Sequence, residues 1–154
     1  MDECLRLILV KVSIVEQDSL NKGLLIEEID ATIDSLSNGK SLGIDGLSAK
    51  FYKENKNWIS VELLRVYEEA FAKGSLGKYI NKGVIKLLPK IGDKTLVKNW
   101  KLISLLNLSY KLLAKALSKR SAPLVSRFIS KTQTRFIQGR YILENLITSW
   151  EAMH

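Results

Sequence analysis

Residues 83–106, GVIKLLPKIGDKTLVKNWKLISLL, decide the fold class of this chain. Two short apolar runs, residues 83–90 and 101–106, have the composition of β-strands. Gly92 and Asp93 lie between them and are typical turn residues. We therefore predict a pair of antiparallel strands joined by a loop of several residues.

Around this pair, the spacing of apolar residues is typical of helices. Ile26, Ile29, Ile33 and Leu36 recur at helical intervals with acidic residues between them, and Gly39 follows as a stop signal. The order of helices, a strand pair and helices indicates an α+β, mostly helical fold rather than repeated βαβ units. Further helices are predicted over residues 48–54, 57–73 and 108–117. We predict that Pro123 breaks the last of these helices or its continuation. Residues 133–140 are predicted to be irregular, and residues 141–153 show helical spacing.

Two of these helices carry apolar stripes that can face a core. The predicted core residues are Ile59, Leu63, Val66 and Ala70 on the helix over 57–73, and Tyr110, Leu113 and Leu117 on the helix that begins at 108.

Charge is divided unevenly along the 154 residues, although the formal net charge is +8. Residues 1–70 hold 8 Lys and Arg against 13 Asp and Glu, a net charge of −5, whereas residues 71–154 hold 16 against 3, a net charge of +13. A segment this basic attracts polyanions, of which nucleic acid is the commonest large one. The alternative is that the basic residues only keep the surface soluble. We predict an acidic helical segment over residues 1–75 and a basic segment over 76–154.

Residues that carry most catalytic and metal chemistry are scarce. The single histidine, His154, and the single cysteine, Cys4, exclude Ser-His-Asp, Cys-His and most zinc sites within these residues. Asp45 lies between two glycines, and we interpret it as a turn residue rather than a metal ligand. We therefore predict no catalytic residue, no metal ligand, no secretory signal and no membrane span, hence an intracellular location.

Lysines recur at regular intervals in the basic half. Lys86 and Lys90 would project to the same side of a strand. Lys111, Lys115 and Lys119 are four residues apart, which stacks them along one helix face, where a phosphate backbone would relieve their repulsion. We predict that these lysines contact nucleic acid, and a solvated lysine-rich face is the alternative that the spacing leaves open.

Four motifs follow one another between residues 38 and 140. They are NGKSLGIDGL at 38–47 with FYK at 51–53, GVIKLLPK at 83–90, NWKLISLLN at 99–107 with Tyr110, Lys111 and Lys115, and QTRFIQGR at 133–140. In order and spacing they resemble the reverse transcriptases of plant LINE-type (non-LTR) retrotransposons, over residues 22–154. The resemblance implies the fingers region of a right-hand polymerase, an RNA-directed DNA polymerase, with its N-terminal extension.

The resemblance also implies roles for individual residues. In that family the strand lysine and the basic residue of the third motif lie over the triphosphate of the incoming nucleotide, and these positions are Lys90 and Lys101 here. Arg140 of the fourth motif becomes a candidate nucleic-acid contact, with a helix-flanking surface arginine as the alternative. The implied partners are an RNA template, a DNA primer and deoxynucleoside triphosphates, and Mg²⁺ is the implied cofactor of the intact family enzyme.

Departures from the family pattern bear on activity. Lys101 stands where the family has arginine, Arg135 replaces a glycine, and Leu42, Leu102 and Gln138 replace prolines. The Pro→Leu, Arg→Lys and Gly→Arg changes can each arise by a single base transition, from which we infer a decaying copy of the element. The family's metal-binding aspartates, including its Tyr/Phe-x-Asp-Asp turn, do not occur in these 154 residues. We therefore expect a truncated reverse transcriptase domain that transfers no nucleotide alone, with a non-catalytic nucleic-acid-binding module or a product without function as alternatives.

Overall fold

In a computed structural model, the structure describes residues 12–129 and, beyond them, residues 133, 137, 139–141, 143, 147, 150 and 151. The elements, in chain order, are helices α1 (Ile14–Asn21), α2 (Ile26–Asp34), α3 (Ala49–Glu54) and α4 (Lys56–Lys73), strand β1 (Gly83–Pro89), a 3₁₀ turn (Val97–Asn99), strand β2 (Trp100–Leu106) and helix α5 (Leu108–Phe128). The predicted α+β class with a small antiparallel strand pair is confirmed.

Capping residues set the ends of α3 and α4 where the sequence predicted them. The hydroxyl of Ser48 accepts a hydrogen bond from the N–H of Phe51 at 3.2 Å, which satisfies a donor in the first turn of α3. Gly74 ends α4 in the left-handed region, with φ of 66°, a conformation that costs a residue with a Cβ more than it costs glycine.

Helix α2 ends earlier than predicted, at Asp34 rather than near Gly39. The hydroxyl of Ser35 donates to the carbonyl of Thr32 at 2.7 Å, and the N–H of Leu36 donates to Ile33 three residues back at 3.0 Å. These bonds satisfy carbonyls that a longer helix would otherwise have used, so the local serine chemistry ended the helix before the glycine.

The core of the described chain is formed largely by the predicted stripes. Val66, Ala70, Tyr110 and Leu117 are only half-buried. Full burial of an isoleucine or leucine side chain contributes about 1.5–3 kcal/mol each to stability. Buried as predicted are Ile29, Ile33, Ile59, Leu63 and Leu113, whereas helical spacing missed the equally buried Tyr67, Leu112 and Ala116.

The two strands form an antiparallel hairpin whose register runs from Gly83 opposite Leu106 to Pro89 opposite Trp100. Directly opposed residues of an antiparallel pair project to the same face, and neighbours along a strand alternate. One face therefore carries the even-numbered residues of β1 with the odd-numbered residues of β2. The other face carries the exposed apolar side chains Ile85, Leu87 and Leu102.

The predicted helix break near Pro123 is wrong, because α5 continues through it to Phe128. Proline has no N–H and removes one helical hydrogen bond, at a cost of about 3 kcal/mol. Helical bonding on both sides of this position offsets that loss, and the Ser121 hydroxyl donates to the Leu117 carbonyl at 2.9 Å in the turn before it.

Other predicted segments are described only at some residues. Gln133, Ile137 and Arg140 are in neither helix nor strand, in agreement with irregular structure over 133–140, while Leu143 and Trp150 are helical. Other residues of this segment, Arg135 and Gln138 among them, lie outside the described part, as do Cys4 and His154.

The described residues divide into two compact units. Residues 23–116 form one, and the residues up to 22 and from 117 onward form the other. In the second unit Arg127 forms an ion pair with Glu16, and the Arg120 guanidinium donates to the carbonyls of Leu20 and Lys22. The division predicted at residue 75 from charge remains a prediction.

Candidate nucleic-acid interface

Lys86 and Lys101 lie on the same face of the hairpin. Lys86 is opposite Ile103, and Lys101 is opposite Leu88, which makes the two lysines diagonal neighbours on that face. Such neighbours are separated by about 7–8 Å, within reach of one multivalent anion. Both lysines are exposed.

Lys90 follows β1 directly and continues its ladder. Its backbone N–H donates to the carbonyl of Asn99 at 2.7 Å, and its ammonium group donates to the carbonyl of Lys98 at 3.0 Å. The exposed side chain is thus held against the 3₁₀ turn that precedes β2. An ammonium carries three N–H donors, so this single bond leaves capacity for an anion.

Asn99 and Trp100 of the third motif fix the loop of the hairpin, a role that sequence reasoning missed. The Asn99 amide donates to the carbonyl of Asp93 at 2.7 Å, and the Trp100 indole donates to the carbonyl of Lys94 at 2.8 Å. The Asp93 carboxylate accepts the N–H of Thr95 at 2.9 Å, and this bond holds the pKa of that carboxyl below its usual value. These bonds tie down the loop between Lys90 and Lys101, the two residues predicted to contact a triphosphate.

Lys111 and Lys115 lie on one face of α5, as their spacing predicted, and both line a cavity of about 350 Å³. Lys40, which sequence reasoning did not select, lines the same cavity. We call this space the basic cavity. The residues that line it are Leu36, Ser37, Lys40, Ser41, Ala49, Ile103, Leu105, Leu108, Lys111 and Lys115.

Lys115 is anchored on the wall of the basic cavity. Its ammonium group donates to the carbonyl of Ser35 at 3.0 Å, at the C-terminal end of α2, where unsatisfied carbonyls carry partial negative charge. Lys119, one turn further along α5, is exposed and belongs to the other compact unit.

Acidic groups near the end of α2 are engaged in interactions of their own. Both oxygens of Asp34 accept hydrogen bonds from the ammonium group of Lys56, at 3.1 and 2.9 Å. The Asp30 carboxylate accepts the hydroxyl of Ser60. Among the described residues that line the basic cavity there is no Asp or Glu, so the local charge there is positive.

The first and third motifs meet at Asn107, which is only 5% exposed. Its amide donates to the carbonyl of Tyr79 at 2.9 Å, and its side-chain oxygen accepts a longer contact from the N–H of Asp45 at 3.4 Å. A Cβ at Gly43 would approach that oxygen and lie 2.6 Å from the Asn107 Cα. Glycine is therefore required at 43 by the close approach of the two backbones.

Asp45 behaves as a turn residue, as predicted. Its carboxylate accepts the N–H of Leu47 at 3.2 Å, and the N–H of Gly46 donates to the carbonyl of Gly43 at 3.3 Å. Gly46 has φ of 67°, which a glycine adopts without strain.

Two buried tyrosines, Tyr52 and Tyr67, lie next to Ser109 at the start of α5. The hydroxyl of Tyr67 donates to the carbonyl of Ser109 at 2.7 Å, at the start of α5. Burial raises the pKa of Tyr67 well above its ordinary value, and burial together with the Asp45 charge raises the pKa of Tyr52. Both phenols are therefore neutral at physiological pH.

Arg140 is half-buried, and its guanidinium donates to two backbone carbonyls. The acceptors are Gln133 at 2.8 Å and Ile129, just beyond the end of α5, at 3.1 Å. Such bonds are typical of an arginine that caps a helix C-terminus. They favour the helix-flanking alternative left open by the sequence.

The described part of the chain contains no cluster of three or more His, Cys, Asp or Glu side chains that could hold a metal ion. None of the helices in the described ranges is long and apolar enough to cross a membrane.

Comparison with known proteins relates the chain to transposons. No family model matches it. It is similar to a transposon-encoded protein, the Transposon TX1 uncharacterized 149 kDa protein of Xenopus laevis, with 33% identity over 143 residues. The match covers 93% of this chain and 11% of that protein. The chain is therefore a relative of one segment of a transposon protein that is more than eight times its length.

Proposed function

We propose that this chain is the fingers segment of the reverse transcriptase of a LINE-type retrotransposon. The observation that carries the proposal is the packing of its motifs within residues 23–116: the turn of the first motif packs on Asn107 of the third, whose strand pairs with the second. The likeness to a transposon protein supports the same origin.

In this proposal the hairpin binds the triphosphate of an incoming nucleotide. Lys101, its neighbour Lys86 and the anchored Lys90 supply positive charge along one strip of the hairpin. At position 101 the family has arginine, whose guanidinium can form bidentate hydrogen bonds, whereas lysine supplies a point charge. Lys101 would therefore orient the phosphates less strictly than arginine does. The ammonium groups hold and orient the triphosphate.

Template RNA and DNA primer are the proposed nucleic-acid partners. Lys111 and Lys115 face the basic cavity, and Lys119 is exposed. The carbonyl bonds of Arg140 support a structural role for it, so we assign template contact first to the lysines.

Mg²⁺ is the proposed cofactor of the intact family enzyme, in which it would activate the primer hydroxyl and stabilise the leaving pyrophosphate. Among the described residues there is no cluster of three or more side chains that could hold a metal ion. We therefore derive no step through Mg²⁺ and propose binding without nucleotide transfer for the 154-residue chain.

Binding of labelled template RNA, measured by fluorescence anisotropy at several salt concentrations, tests the proposal. Contact with four phosphates would give a slope of log affinity against log salt of about −3 for a single strand. Weak binding that is insensitive to salt contradicts a nucleic-acid role. A primer-extension assay with Mg²⁺ should give no product, and template-dependent extension would contradict the proposed lack of transfer.

The reading frame offers an independent test of the polymerase assignment. Genomic sequence downstream of the coding region should encode a metal-binding aspartate followed by a Tyr/Phe-x-Asp-Asp turn. Salt-dependent binding without such sequence would favour a separate nucleic-acid-binding module. A broad, uncooperative thermal transition would favour a product without function.

A further inference from the structure

We propose that the basic cavity takes one nucleotide of a single-stranded nucleic acid, with its phosphodiester held by Lys40 and Lys111. The inference rests on the proposed function and adds to it a built pocket, a new residue and the part of the ligand that is bound. Its volume of about 350 Å³ lies within the range of small-ligand pockets, about 300–1,000 Å³.

The walls of the basic cavity divide into two kinds. Lys40, Lys111 and Lys115 supply three ammonium groups, and Ser37 and Ser41 supply hydroxyls. The apolar residues of the lining offer surface for the face of a base. These apolar residues are Leu36, Ala49, Ile103, Leu105 and Leu108. A nucleotide has a similar division between an anionic phosphate and the apolar face of its base.

The position of the Lys115 ammonium group makes the electrostatic environment of the cavity more favourable for an anion. Carbonyls at the C-terminal end of α2 would repel a phosphate, and the Lys115 bond to the Ser35 carbonyl offsets that charge. In the proposal, Lys115 neutralises the helix end, while Lys40 and Lys111 contact the phosphodiester. Since Lys111 is half-buried, its attraction to phosphate is screened less by salt than that of an exposed lysine.

A single strand is favoured over a duplex because the cavity shares its sheet wall with the basic strip on the hairpin. Ile103 and Leu105 line the cavity, and Lys101 is two residues from Ile103 on the same face of β2. Two strand residues span about 7 Å, so a strand leaving the cavity meets Lys101 and Lys86 next. Unpaired nucleotides can enter such a pocket one at a time, whereas bases in a duplex are already stacked and paired.

The test compares charge-matched variants of the full chain. Lys40→Ala and Lys111→Ala each remove one positive charge, and so does Lys78→Ala, at an exposed turn position outside the cavity. Anisotropy of a labelled single-stranded RNA should show about fivefold to tenfold weaker binding for the first two, with the salt slope shallower by about 0.7 for each lost phosphate contact. Lys78→Ala should change affinity by less than about twofold and leave the slope unchanged.

A neutral variant tests shape separately from charge. Ser41→Phe fills part of the cavity without altering net charge and should also weaken single-strand binding, by about fivefold, while leaving duplex RNA binding unchanged. Thermal unfolding of every variant must match that of the unmodified chain; where Ser41→Phe fails this check, Ser37→Phe at the same wall replaces it.

Three results overturn the inference. If the unmodified chain binds RNA strongly and Lys40→Ala, Lys111→Ala and Lys78→Ala lose affinity equally, the cavity is not the binding site. The proposed function would still stand. No binding by the unmodified chain would refute both. Loss of inorganic tripolyphosphate binding without loss of RNA binding in the Lys40 and Lys111 variants would assign the cavity to free phosphates instead.

Discussion

Gly43→Ala should destabilise the chain strongly, although it adds only one methyl group. The added Cβ would lie 2.6 Å from the Cα and 2.8 Å from the backbone N of Asn107, closer than carbon and nitrogen atoms can approach without repulsion. Asn107 cannot move aside freely, since its amide bonds the Tyr79 carbonyl at 2.9 Å and the residue is 5% exposed. Overpacking against a fixed backbone costs about 1–3 kcal/mol, and we expect the upper end here.

Gly77→Ala is the matched control, because a Cβ at that position meets nothing within 4 Å. Urea unfolding followed by circular dichroism should show Gly43→Ala about 3 kcal/mol less stable than the unmodified chain, equivalent to a fall in Tm of roughly 6–12 °C. Gly77→Ala should lie within about 0.5 kcal/mol of it. Equal stability of the two variants would show that the first and third motifs do not pack as described.

Three further perturbations follow from hydrogen bonds and pKa values in the structure. Tyr67→Phe should lower the free energy of unfolding by about 1–3 kcal/mol because the buried Ser109 carbonyl loses its donor. Because burial raises the pKa of Tyr67, the unmodified chain should lose stability as pH rises above about 10, and Tyr67→Phe should show a shallower loss. Trp100→Phe should leave the fold intact but speed amide hydrogen exchange in the hairpin loop, because the Lys94 carbonyl loses the indole N–H; unchanged exchange would contradict that bond. The Glu16 carboxylate accepts hydrogen bonds from the backbone N–H and the hydroxyl of Ser13, both at 2.9 Å, and these bonds are the main cause of its lowered pKa. The stability that Glu16 contributes should therefore be lost as pH falls below about 4.5, and Glu16→Gln should flatten the acid limb of a stability–pH curve.

Local pattern predicted the secondary structure well because the signals involved lie within a few residues. Strand composition on both sides of Gly92 gave the hairpin, and Gly74 gave the end of α4. The predicted helix ends were wrong where hydrogen bonds or packing in the structure outweighed the local sequence signal. Ser35 ended α2 early, and Pro123 was accommodated within α5.

The candidate site was predicted in part. Helical spacing grouped Lys111 with Lys115, and both line the basic cavity, while the strand register places Lys86 and Lys101 on one face. Lys40 carried no periodic signal, since it lies in a loop after α2. It reaches the same cavity as Lys111 only because the chain folds back over 71 residues of sequence.

By itself, the sequence determined the α+β class, the hairpin, the charge division and the order of the four motifs, because each depends on nearby residues or on composition. Only the tertiary structure decided that Gly43 packs on Asn107, that Lys115 caps the end of α2, and that Lys40 joins the basic cavity. These contacts join residues 64 to 80 positions apart. Their geometry depends on how α2, β2 and α5 pack, which no local pattern specifies.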